Sequence, residues 1–122
     1  MKIMTNRKIL AIVADFLCVL LFVAIGRHAH NHGITFGGMV STLWPFFTGL
    51  LCGWLLLVWK EMRFEKISSG YVVVVSTVVA GMVLRVIAGQ GTAFSFICVA
   101  LIFLSLFLLG WRLAVKATSK GQ

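Results

Sequence analysis

Asp15 is the residue on which any chemistry in this chain turns. The protein has three acidic residues, and Asp15 is the one inside a long apolar run, 9–26. A carboxylate within hydrocarbon costs about 2.5 to 3.5 kcal/mol on insertion scales unless it is paired, protonated or hydrated. At helical spacing Asp15 shares a face with Ala11, Cys18 and Phe22, a mostly small face suited to the interior of a helix bundle. Two roles fit it: a proton or cation site, or a structural ion pair with an arginine from another segment.

Depth discriminates between the arginines. Asp15 lies six residues past the start of its run and Arg85 fourteen past the start of its own, hence about 9 and about 21 Å above the same boundary. Side chains lean toward the helix N-terminus. Arg85 therefore points back over Gly81 and Thr77, which leave it a corridor, yet a gap of several ångströms remains. Arg112 starts at the boundary, and its run points the other way, so it leans toward Asp15. Depth favours Asp15 with Arg112; Asp15 with Arg85 is the alternative and needs a tilted or shifted helix. Arg85 is also close enough to its own end to snorkel outward, or to join Arg27 at an anion-binding or headgroup-binding site.

Histidines form the other cluster, His28, His30 and His32 in one loop. Alternate imidazoles suit zinc or copper, but no cysteine or carboxylate stands nearby to complete a tetrahedral set. A solvated loop is the simpler expectation, with outer-face metal sensing the weakest alternative. A Ser, His and Asp triad is excluded by depth, since the histidines lie outside and Asp15 in the inner half. No phosphate-binding glycine loop precedes a helix, and Glu61 and Glu65 stand among Lys60, Arg63 and Lys66 as a self-paired loop cluster. The expectation is a protein that is not an enzyme and has no cofactor.

The elements that must position these residues follow from composition. The chain has 122 residues, 61% of them hydrophobic, against roughly 45 to 50% in a soluble domain; mean hydropathy is +1.06. Such a chain is neither a water-soluble fold nor disordered. Its net charge of +8 is spread in short clusters between apolar runs, with no broad basic face for nucleic acid. Cys18, Cys52 and Cys98 fall within apolar runs and share no metal-ligand or redox spacing.

Crossing about 30 Å of hydrocarbon takes ~20 apolar residues in a helix. Four runs qualify, 9–26, 43–59, 71–88 and 93–111. Strands of a barrel would be about half as long and alternate in polarity. The expectation is an all-α, integral membrane four-helix bundle, a single domain over 1–122. The first run follows a basic stretch as a signal peptide would, but it contains Asp15 and no small-x-small site follows, so it reads as an uncleaved span. Thr42 is a candidate N-cap for a second helix starting at Leu43, which keeps Pro45 in a first turn and leaves 34–40 as an interfacial, non-helical stretch.

Nine of the eleven basic residues (Lys2, Arg7, Lys8, Lys60, Arg63, Lys66, Arg112, Lys116 and Lys120) fall on one side of an even-span topology, with Arg27 and Arg85 on the other. The positive-inside rule then puts both termini in the cytoplasm, N-in and C-in. Trp44, Trp59, Tyr71 and Trp111 fall at span ends, at headgroup level. Gly49 and Gly53 form a GxxxG on span two, and Thr77 with Gly81 a small-xxx-small pair on span three; internal packing is the default use, joining two copies the alternative.

Several fragments in combination resemble a known family: Asp15 in span one, Gly26 and Arg27 with His30, Trp44-Pro45-Phe46 with Gly49, Gly53 and Trp54, Gly81-Met82 with Arg85, and Gly110-Trp111-Arg112. Nearly the whole chain is similar to the bacterial and archaeal membrane proteins grouped as domain of unknown function 3054. That resemblance implies a four-span fold and no particular activity. It implies that Asp15, Arg27, His30, Arg85 and Arg112 form a working polar set; His28 and His32 are not clear matches, which counts against a metal site.

Three functions remain open at this stage. The first is a non-enzymatic accessory or assembly subunit, held by a buried Asp–Arg network and bound to the lipid bilayer and a larger membrane complex. The second is a small self-associating transporter or channel with Asp15 as coupling carboxylate, a pathway forming between copies. The third is the outer-face metal sensor.

Overall fold

A computed structural model describes residues 2–29, 35–90 and 94–118. Among them there are four helices and no strands: α1 Lys2–Ala29, α2 Phe36–Trp59, α3 Ile67–Ile87 and α4 Phe94–Thr118. All four are long and apolar enough to cross a membrane. At 28 residues, α1 is about 42 Å long and outruns the hydrocarbon layer. Each helix packs on the next and α4 returns to α1, with α2 and α3 the most extensive pair. The start of α1, the end of α4, the α2–α3 turn and the ion pair of Arg7 with Glu65 (3.5 Å) share one end of the bundle.

The second helix begins seven residues before the expected Leu43. Thr35, not Thr42, is its N-cap, with extended backbone and a side chain that accepts a 3.1 Å bond from the Gly38 N–H. The supposed interfacial stretch is therefore helical from Phe36 onward, and Pro45 stands in the helix interior. A proline there leaves the carbonyl four residues earlier without its intrahelical donor. That carbonyl belongs to Ser41, and the Gln90 side-chain amide donates to it at 3.2 Å. The sequence reading missed this substitution because the replacement donor comes from 49 residues downstream.

The ends of α2 and α3 are both Schellman motifs. After α3, Gln90 N–H bonds Arg85 O and Gly89 N–H bonds Val86 O, with Gly89 at φ 73°. After α2, Met62 N–H bonds Leu57 O and Glu61 N–H bonds Val58 O, but the left-handed position at φ 55° is filled by Glu61, where glycine is the usual residue. In the turn that follows, partial burial pushes the Glu65 carboxyl up. Its own backbone N–H and the Arg63 and Arg7 guanidinia outweigh this and hold it below the usual carboxylate range. The Arg63 and Arg7 pairs therefore persist through neutral pH and are lost as pH falls through that lowered value.

Contact between α2 and α3 is backbone to backbone. A Cβ on Gly49 would come within 2.7 Å of Thr77 Cα and 2.8 Å of Thr77 O, and Ser76 Oγ donates to Gly49 O at 2.9 Å. Gly53 sits one turn on, against Val73 Cα and Ser76. Gly81 receives the Phe46 ring, which packs edge-on against Phe22 at 5.5 Å. Thus the small residues of spans two and three pack the bundle internally. The corridor anticipated for Arg85 over Gly81 and Thr77 is closed by the Phe46 ring and the α2 backbone.

Thr77 is fully buried at this seam, and among the described residues its hydroxyl has no hydrogen-bond partner. An unsatisfied buried hydroxyl costs about 1 to 3 kcal/mol, and an apolar replacement of the same shape removes that cost. Thr77→Val is expected to raise the unfolding free energy by about 1 kcal/mol in a denaturant titration in micelles; a loss of stability would mean that the hydroxyl has a structural use.

Candidate functional site

On α1 the buried stripe is Ala11, Asp15, Val19, Phe22 and Val23, spaced by helical turns, with Cys18 half-buried at its edge. Asp15 is fully buried there. Its carboxylate faces Arg112 of α4, which is also fully buried and which the helix geometry tilts into the bundle, away from its own C-terminal end. The pair is bidentate: Nη1 to Oδ1 at 2.8 Å and Nη2 to Oδ2 at 2.9 Å. This is the partner that depth favours.

Two tryptophans complete the carboxylate's shell. Trp54 of α2 donates its indole N–H to Oδ2 at 3.0 Å, and Trp111 of α4 donates to Oδ1 at 2.8 Å. Arg112 is satisfied in turn, with Nε donating to Phe64 O at 2.9 Å and Nη1 to Leu108 O at 3.0 Å. Its guanidinium carbon lies 4.4 Å from the Trp111 ring centre, a cation–π contact. Gly70 of α3 supplies the room: a Cβ there would lie 2.6 Å from Leu109 Cδ2 and 2.9 Å from Arg112 Cδ. Every helix thus contributes to one charge pair, and each oxygen of Asp15 accepts two N–H bonds.

Sequence reasoning missed four of these contributors. Trp111 was assigned to the headgroup belt, although its indole N–H points inward. Trp54 lies five residues inside the end of α2, and that position was the available signal. Indole is a donor without acceptor capacity, so within hydrocarbon its N–H needs an acceptor, and Asp15 is the carboxylate at reach. Phe64 O and Gly70 had no comparable signal.

The remaining arginines of the expected network stand elsewhere. Arg85 donates from Nη1 to Gln90 Oε1 and from Nη2 to Gln90 O, both 3.2 Å, and stacks 4.5 Å from the Phe96 ring centre. It reaches toward its own end of the bundle, away from Asp15, so the alternative Asp15–Arg85 pair is not formed. Arg27 lies across Gly38 and donates from Nη1 to Thr42 Oγ1 at 3.0 Å. Together Arg27, Thr42, Ser41 O, Gln90 and Arg85 dress the end of the bundle opposite the α2–α3 turn. His28 is exposed there; His30 and His32 lie outside the described residues. Among the described residues no three His, Cys, Asp or Glu side chains are grouped to hold a metal ion.

A family model described as a protein of unknown function, DUF3054, matches residues 12–115, a stretch that runs from the turn before Asp15 to the turn after Arg112. This chain belongs to the DUF3054 family. The comparisons with curated proteins and with solved structures give no match. In this DUF3054 protein the matched stretch takes in the whole charge clamp: Asp15, Trp54, Phe64 O, Gly70, Trp111 and Arg112.

Proposed function

We propose that this DUF3054 protein is a non-enzymatic accessory or assembly subunit of a larger membrane complex, seated in a prokaryotic plasma membrane with both termini in the cytoplasm. The observation that carries this reading is the state of Asp15: buried, paired bidentately with Arg112 and bonded by both indoles. A coupling carboxylate must exchange protons or cations with water during each cycle. Here that exchange requires breaking four charge-assisted bonds that join three helices, so the polar core serves the fold. Self-association around a transport pathway, with Asp15 as the coupling residue, is the competing reading and has this geometry against it. Orientation rests on the basic residues gathered at the end that holds the termini.

Mild-detergent extraction from native membranes, followed by mass identification, tests the proposal. A membrane protein recovered at constant stoichiometry, and retained through a high-salt wash, is the expected result. Recovery of the chain only as copies of itself, together with proton flux in liposomes that Asp15→Asn abolishes in folded protein, would overturn it. Terminal tags cleaved by protease in inverted vesicles and protected in intact cells are expected for the orientation.

A further inference from the structure

A cleft of about 650 Å³ opens at the end of the bundle where α1 begins and α4 ends, beside the charge clamp and sharing Trp111 with it. Among the described residues its charged lining comprises Arg7, Arg63, Lys66 and Lys116, with Glu65 as the one carboxylate. Glu65 binds Arg63 at 2.7 Å and Arg7 at 3.5 Å, which fixes those guanidinia at the rim, and one carboxylate stands against four cations of the described lining. Leu10, Ile67 and Val115 make the rest of the wall apolar, and Trp111, whose indole serves Asp15, forms part of it. Leu10 is 66% exposed and Val115 41%, so the apolar part is open sideways, where hydrocarbon would lie.

An aqueous anion has no use for the apolar part, and an apolar ligand none for the cations. Both are matched by an amphiphile with a negative head, and the volume falls in the range of small-molecule sites. The first residues of α3, Ile67 and Ser68, also border the cleft, and their N-cap Lys66 makes no side-chain capping bond. The positive end of that helix adds to the charge that the four side chains create. Basic pockets between membrane helices are suited to anionic phospholipid headgroups.

We infer that this cleft binds an anionic glycerophospholipid of the leaflet that the termini face, its phosphate among Arg7, Arg63, Lys66 and Lys116 and an acyl chain along Leu10 and Val115. The site does not depend on the presence of a partner complex.

Full-length protein in neutral detergent micelles, titrated separately with phosphatidylglycerol, phosphatidylcholine and inorganic phosphate, tests this. The thermal unfolding midpoint and the lipid retained in native mass spectra are followed together. Phosphatidylglycerol is expected to raise the midpoint and stay bound, and the other two to do neither. A basic residue near an anionic lipid surface changes affinity about fivefold. The double variant Lys66→Gln, Lys116→Gln should therefore need about thirtyfold more phosphatidylglycerol for the same rise. The double variant Lys66→Arg, Lys116→Arg should behave as the parent does, as should Lys60→Gln, which alters an exposed residue outside the cleft. Equal protection by phosphatidylcholine would overturn the inference, as would full protection by phosphate alone, an unchanged response in the glutamine variant, or an equal loss in Lys60→Gln.

Discussion

Asp15→Asn is expected to lower the unfolding free energy by about 3 to 5 kcal/mol, and Arg112→Gln by a similar amount, in denaturant titrations in micelles. Each leaves one buried charge without its counter-charge, the costly way to break a buried ion pair. With asparagine at 15, one side-chain oxygen is left to serve donors that now bond two, and the Arg112 guanidinium faces the new amide group rather than a carboxylate. The double variant should lose less than the sum of the singles, by about 2 to 3 kcal/mol, because neutralising both partners removes the orphaned charge. Additive losses would show that Asp15 and Arg112 act independently and that the clamp is not what joins α1 to α4. The pair should not be read as a surplus of stability over an apolar core. Desolvation consumes most of what the attraction provides, and what the arrangement secures is register, since one carboxylate draws donors from α2 and α4 to a single point.

Gly49→Ala is expected to cost about 3 kcal/mol, large for one methyl group. The new Cβ would meet Thr77 Cα, Thr77 O and Ser76 O at 2.7 to 3.0 Å, and these backbone atoms cannot swing aside as a side chain would. Relief requires α2 and α3 to part, which also breaks the 2.9 Å bond from Ser76 Oγ to Gly49 O. Gly53→Ala meets its neighbours at 3.2 to 3.5 Å and should cost about 1 kcal/mol. Gly26→Ala meets nothing within 4 Å and should gain about 0.5 to 1 kcal/mol from helix propensity. Measured in one micelle system, that order from loss to gain checks the packing; equal effects at Gly49 and Gly26 would refute the close approach of α2 to α3.

The four spans could be read from the residues because the bilayer imposes a single local rule. Each crossing segment must be apolar over a fixed length and bond its own backbone, and those requirements are met within 20 or so consecutive residues. The choice of Arg112 for Asp15 was legible for a related reason: helical rise converts residue number into depth, and few charges were available to pair. The start of α2 was not legible, because Thr35 and Thr42 are equally plausible caps locally. Pro45 argues for the later one until Gln90, from beyond α3, supplies Ser41 O with its donor.

What the sequence determined by itself is the solvent, the number of crossings, the depth of each charge and hence the pair that holds the bundle. Only the tertiary structure decided the surroundings of that pair: that Trp111 turns inward, that Trp54 meets the same carboxylate, that Gly70 clears a place for Arg112 and that Phe64 lends a carbonyl. The physical reason is that a backbone acceptor or a missing Cβ looks alike at every position along a chain, and acquires its role only when another helix is laid against it.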